Sequence, residues 1–272
     1  MIDTPDAIER ADPPTEAAAS APVILRLRDV SKRFGDVEVL RSLDLDVRRG
    51  EILTLLGASG SGKSVLLKLI MRLLPLDRGE IVFDGAHVER MDTDALTAYR
   101  RRVGMVFQGG ALFDSMTVAE NLAYGPSALG RRVMSHDTVR SRVAWALAAV
   151  GMSETGDLKP EELSGGMRKR VSIARTIALK PEVILYDEPT TGLDPINAGR
   201  IGKLIVQLRK QLGVTSVIVT HDLQVAFKIS DRLALLHDGH IAAVGSVAAV
   251  RASLDPVVKG FLGGLPAPGE VR

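Results

Sequence analysis

Apolar residues fall in two rhythms along this chain. At 23–27 and 37–47 they recur at every second position, the period of strands with one buried face. At 52–56, 103–107, 183–186 and 216–219 they crowd into short, mostly apolar runs, as in strands covered on both sides. Helical periodicity fills several of the intervals: 65–74, 93–102, 168–179 and 195–212, with a long helical stretch over 117–159 in which Trp145, Leu147 and Val150 are apolar positions and Gly151 the stop. Residues 79–83 read as a strand ended by the turn pair Asp84-Gly85. Residues 233–236 and 241–244 form a hairpin around Asp238-Gly239, and two short helices at 247–253 and 256–262 lead into a Gly/Pro-rich tail at 263–272. The succession is that of an α/β chain interrupted by a helical insertion.

Composition narrows this little. The 272 residues are 46% hydrophobic and 25% charged, enough for one good-sized core or two small ones. With 35 basic against 33 acidic residues the chain carries no broad field to attract nucleic acid or anionic lipid. The basic clusters at 100–102 and 168–170 lack interleaved aromatics and read as solvated faces, phosphate-facing in part. There is no cysteine, which fits a reducing compartment. No apolar run reaches the roughly 18–20 residues needed to span a bilayer, so any membrane role is expected to use a partner. Residues 1–22 hold Asp3, Asp6, Glu9, Asp12 and Glu16 against Arg10, with no secretion-signal pattern, and are expected to form a disordered acidic extension.

The chemistry begins at Gly57-Ala58-Ser59-Gly60-Ser61-Gly62-Lys63-Ser64, between the run at 52–56 and a helix. Glycines let the backbone curl so that N–H groups at a helix N-terminus face an anion, Lys63 then reaches terminal phosphates, and Ser64 is placed to ligate Mg²⁺. Strand ends deliver the other polar groups. Gln108 follows 103–107, Asp187 and Glu188 end 183–188, and His221 follows 216–219. Asp187 would sit beside a metal and Glu188 polarise an attacking water. Read alone, Gln108 is a surface glutamine, His221 an ordinary histidine, Phe34 a core aromatic, and Ser164-Gly165-Gly166 a helix cap.

In this order the motifs resemble the nucleotide-binding subunit of ATP-binding-cassette (ABC) transporters over about residues 23–262. The resemblance implies a P-loop ATPase domain with a mainly parallel sheet core, an antiparallel β subdomain and a helical signature subdomain at about 109–180. It implies ATP and Mg²⁺ as cofactors. Phe34 would stack on adenine, and Gly57, Ala58, Ser59, Gly60, Ser61, Gly62, Lys63 and Ser64 would cradle the phosphates. Ser164, Gly165, Gly166 and Asp194 would complete the site of a partner copy. Ser64, Asp187 and Gln108 would hold the metal, and Glu188, His221 and Gln108 would carry catalysis. Met167 departs from the family's usual Gln at the end of this motif.

The loop 107–114, the stretch 164–170, the stretch 185–196 and the ending 255–262 resemble the lipid-trafficking Mce/Mla-type branch. That branch implies a homodimer of ATPase subunits on the cytoplasmic face of the inner membrane, an integral-membrane permease, an MCE-domain lipid-binding protein and a small accessory subunit, without nucleic acid. Residues 111–117 would meet a coupling helix of the permease, and a charge at Leu112 is expected to uncouple the subunit while sparing ATP binding. A polar-solute importer ATPase shares every catalytic motif. A soluble cassette acting on ribosomes or DNA would usually carry two motif sets, and a pure nucleotide-binding regulator would lack the acid at Glu188.

Overall fold

The computed structural model describes residues 21–128 and 135–263. The extension expected at 1–22 and the tail at 263–272 lie, apart from residues 21, 22 and 263, outside them. Two long strands open the chain, β1 (Val23–Phe34) and β2 (Val37–Arg48), followed by β3 (Ile52–Leu56), α1 (Lys63–Ile70), β4 (Arg78–Phe83), β5 (Ala86–His87), α2 (Thr93–Arg102) and β6 (Val103–Val106). Three helices come next, α3 (Val118–Ala128), α4 (His136–Ala149) and α5 (Gly165–Ile177). Then β7 (Val183–Asp187), α6 (Pro195–Leu212), β8 (Thr215–Val219), α7 (Leu223–Ile229), β9 (Arg232–His237), β10 (His240–Ser246), α8 (Val247–Arg251) and α9 (Pro256–Leu262) complete it.

The central sheet runs β10-β9-β3-β8-β7-β6, and all its pairs are parallel except β9/β10. Its inner strands β3, β7 and β8 are buried at every position because both faces are covered. Leu53, Leu55, Val183, Leu185, Val217 and Val219 face one core with α1 and the antiparallel sheet β2-β1-β4-β5. Their neighbours Ile52, Ile184, Tyr186 and Ile218 face a second core with the helices α3 to α6. A strand's period of two thus divides each run between two cores. The carboxyl ends of β3, β7 and β8 come out side by side, carrying residues 57–64, 187–188 and 220–221 to one edge.

Several boundaries differ from the sequence pattern. Strand β1 continues to Phe34 rather than stopping near Leu27, because register shifts after Leu27 and Val30 break the strict alternation while keeping Val30 buried. Among the described residues of 117–159 there are two helices and one short 3₁₀ turn (Ser153–Thr155), with Ser135 extended as the cap of α4 and a turn after Ala149; α3 contains Pro126. Helix α5 begins at Gly165, three residues before the apolar period, because Ser164 caps it by accepting from the Met167 N–H at 3.3 Å.

An ionic network ties the far edge together. Arg102 bonds both Glu182 and Asp84, and Arg49 donates to Glu182 at 3.0 Å and also to Asp84. The bonds from Arg102, then those from Arg49, hold the Asp84 and Glu182 carboxyls below their ordinary range. Depressed carboxylate values mean that this stabilisation is complete above the unfolded values and fades as pH falls through the folded ones. Arg102→Met is therefore expected to lower Tm by about 2 °C at pH 7, the pairs being half exposed, and by less at pH 3. Thermal melts of both proteins at the two pH values check this; a gap that widens in acid would contradict it.

Candidate functional site

At the end of β3 the chain turns through Gly57 to Gly62 into α1, whose first N–H groups have no intrahelical acceptor. Gly62 has φ +100°, and a Cβ there would come 2.9 Å from Val39 and 3.0 Å from Leu40. At Gly57 a Cβ would lie 2.7 Å from the Leu236 carbonyl. Both positions therefore exclude any side chain. The Lys63 ammonium is buried under the loop and donates to the Gly57 and Ala58 carbonyls at 2.7 and 2.9 Å. Desolvation lowers its pKa, and the Glu188 and Asp187 charges pull it back up. The ammonium thus braces the loop and is free to exchange a carbonyl for a phosphate oxygen. Ser61 Oγ is buried and has no hydrogen-bond partner among the described residues, a hydroxyl suited to a phosphate.

Ser64 Oγ donates to Asp187 Oδ1 at 2.6 Å, joining the start of α1 to the end of β7. These are hard oxygen donors of the kind Mg²⁺ takes, so the residues fit that ion. One step on, Glu188 is held in the left-handed region at φ +49°, its N–H bonded to the Val219 carbonyl. Its carboxylate accepts from Thr191 at 3.1 Å and Thr220 at 3.2 Å, and lies 3.0 Å from His221 Nδ1. The turn out of β7 therefore aims a buried carboxylate at the cradle's edge while His221 stays exposed beside it.

Leu40 pairs with Lys32 across the β1/β2 hairpin, so the contact of Leu40 with Gly62 sets the hairpin tip beside the cradle. Phe34 at that tip is 45% exposed, with Lys32 Nζ 5.3 Å from its ring centre, and so presents a ring face to solvent. Gln108 is exposed beyond the end of β6. Ser164, Gly165 and Gly166 open α5 beside the loop before α6: a Cβ at Gly165 would lie 3.7 Å from Leu193, and one at Gly166 3.7 Å from Asn197. Among the described residues no hydrogen bond joins them to the cradle. Asp194 caps α6, accepting from the Asn197 and Ile196 N–H groups at 3.0 Å each and from the Asn197 side chain at 2.6 Å; the bonds from Asn197, then that from Ile196, depress its pKa.

Two groups of residues escaped the sequence pattern. Thr191 and Thr220 orient Glu188, and no periodicity singles out a threonine beside an acid. Lys169 is the other. It lay inside a basic cluster read as a solvated or phosphate-facing surface, yet it is buried, with Nζ bonded to the Gln108 and Glu188 carbonyls.

The profile of the family described as ABC transporter matches residues 40–191, more than half the chain. The chain belongs to that family. Among curated relatives of this ABC ATPase, the intermembrane phospholipid transport system ATP-binding protein MlaF of Escherichia coli K12 is 42% identical over 248 residues, 91% of each chain. The methionine import ATP-binding protein MetN of Brucella abortus is 39% identical over 246 residues, 90% of this chain and 66% of that one. A dimeric ATP-binding cassette solved in a post-hydrolysis state with ADP and Pi superposes with a TM-score of 0.75 at 34% identity, covering 82% of this chain and 98% of that one.

Proposed function

We propose that this ABC ATPase works as a homodimer on the cytoplasmic face of the inner membrane and powers phospholipid transport through a separate permease. The observation that carries the lipid assignment is the 42% identity to the phospholipid-system relative over nearly all of both chains. That no described helix is long and apolar enough to cross a membrane fits a peripheral subunit beside a membrane partner. An MCE-domain lipid carrier and a small accessory subunit complete the proposed assembly. The ATPase domain is read as 23–262, with a helical subdomain at 109–180.

In the proposed site, ATP lies on the cradle with its base against Phe34 and its phosphates on the N–H groups of 57–64 and on Lys63. Ser64, Asp187 and Gln108 would hold Mg²⁺, which would supply positive charge to offset the negative charge of the phosphates. Glu188 orients and polarises the attacking water, and His221 steadies the transferring phosphoryl group. Ser164, Gly165, Gly166 and Asp194 serve the nucleotide of the facing copy. Catalysis is then positioning plus electrostatics.

The docking face for the permease is read at the loop after Gln108. Asn121 is fully buried and fixes this loop by four hydrogen bonds, two of them with the Phe113 N–H and carbonyl. Phe113 and Tyr124 stand exposed, rings 5.0 Å apart, with the Arg175 guanidinium over Phe113. Leu112 instead packs into the helical core, so a charge there would disturb folding and is not the clean uncoupling change expected from sequence. Phe113→Asp takes its place. It is expected to abolish co-purification with the permease while ATP affinity stays within about twofold, since exposed substitutions away from a site cost little; retained association would reject this docking face.

The transported class is tested by purifying tagged Glu188→Gln protein with ATP from detergent-solubilised membranes and identifying co-purifying proteins and lipid by mass spectrometry. A permease, an MCE-domain protein and phospholipid are expected. The methionine-import relative makes a polar-solute importer the second reading, and recovery of a solute-binding protein without lipid would favour it.

A further inference from the structure

Lys169 is 8% exposed, yet among the described residues no carboxylate oxygen comes within 4.0 Å of it. Its ammonium instead donates to two backbone carbonyls from different strand ends, Gln108 after β6 and Glu188 at 3.4 Å after β7. Buried lysines are rare unless paired, because desolvating the charge is costly. Burial accordingly lowers its pKa, and the Asp187 and Glu188 charges oppose that shift. A methionine would fill the same space without that cost. What the lysine adds is a pair of directed bonds.

Those bonds fall on the two residues whose backbone positions matter for the water. Glu188 is one of several non-glycine residues in the left-handed region, at φ +49°, a conformation that persists only where surrounding bonds enforce it. Lys169 supplies one of them. Further along α5, Ser172 Oγ donates to the Gly110 carbonyl at 2.9 Å and Arg175 donates to the Ala111 carbonyl. Lys169, Ser172 and Arg175 recur every third residue, so one face of α5 grips the loop that carries Gln108. Of the three, Lys169 alone also bonds Glu188.

Helix α5 starts at Ser164 and Gly166, which in the proposed dimer meet the nucleotide of the facing copy, whereas Gln108 and Glu188 serve the nucleotide of their own. We infer that Lys169 is a positioning residue that couples the two composite ATP sites, passing engagement of the signature end of α5 in one site to the Gln108 and Glu188 backbone in the other. This rests on the head-to-tail pairing proposed above. Ser164 caps the first turn of α5 and Lys169 lies in the next, so one short stretch of rigid helix is a contiguous path, and the coupling is a free energy that both sites share.

The test uses the full-length ATPase and its Lys169→Met, Lys169→Gln and Lys169→Arg variants, with turnover measured against ATP concentration. Expected for Met and Gln are a kcat about tenfold lower, a half-saturating ATP concentration within about threefold, and a Hill coefficient falling from near 2 to near 1, with Arg restoring both kcat and Hill coefficient. A purely structural lysine would lower Tm and active fraction and leave the Hill coefficient alone. Folded variants with an unchanged Hill coefficient overturn the proposal. So does a parent coefficient of 1, or failure of both Met and Gln variants to fold. ATP-driven dimerisation of Glu188→Gln, followed by sedimentation, separates the two layers: if no dimer forms the pairing itself is wrong, whereas a dimer with unchanged cooperativity in the Lys169 variants rejects the coupling alone.

Discussion

Glu188→Gln is expected to lower ATP turnover by about a hundredfold or more while ATP binding is retained, the size of effect that loss of a positioned general base produces. The substitution is nearly isosteric. The carboxylate accepts from Thr191 and Thr220 and meets His221, and the two hydroxyls can rotate to serve an amide as acceptors or donors. The bonds of the Glu188 backbone, its N–H donating to the Val219 carbonyl and its carbonyl accepting from Lys169, do not involve the side chain and persist. What disappears is the negative charge that polarises water. Binding should survive because Lys63, Ser64 and the N–H groups of the cradle are untouched. Turnover by phosphate release and affinity by titration with a fluorescent ATP analogue check the two halves. Near-normal turnover would remove Glu188 from the role of base, and lost binding would mean that its charge is needed to hold the nucleotide pocket open.

How far this arrangement was legible depends on what each signal measures. Nearly continuous apolar runs locate β3, β7 and β8 to within a residue because strands buried on both faces admit few polar residues. The polar residues ending the later runs stand out for the same reason, which is why Asp187, Glu188 and His221 could be named; Ser64 was marked by the glycine loop instead, and the structure joins it to Asp187 and His221 to Glu188. Beyond Leu27 the signal failed at β1, where bulges exchange the inward and outward faces. It failed again at Lys169. A lysine among Arg168 and Arg170 carries no sequence mark of burial; its place is fixed by the rotation of α5 against β6 and β7, a tertiary fact. Leu112 and Phe113 make the same point, since one faces the core and its neighbour faces solvent. Composition could not distinguish them.

Two further variants should be equally inactive and differ in what they bind. Lys63→Met removes the ammonium that braces Gly57 and Ala58 and that would meet the terminal phosphates; ATP affinity is expected to fall about a hundredfold and turnover with it. Ser164→Asp acts elsewhere. Ser164 caps α5 through the Met167 N–H, and aspartate caps as well as serine, so the helix should keep its start and the protein its Tm. In the proposed dimer, however, the new carboxylate faces the phosphates held by the other copy, where like charges repel and dimer closure fails. Turnover should therefore drop about a hundredfold while each monomer binds ATP within about threefold of the parent, because no hydrogen bond of Ser164 reaches its own cradle. Placed in the Glu188→Gln background, Ser164→Asp should also abolish the ATP-driven dimer in sedimentation. If Ser164→Asp weakened monomeric ATP binding as Lys63→Met does, the signature would belong to its own subunit's site and the head-to-tail reading would be wrong. If it left both dimer and turnover intact, Ser164 would be a helix cap and nothing more.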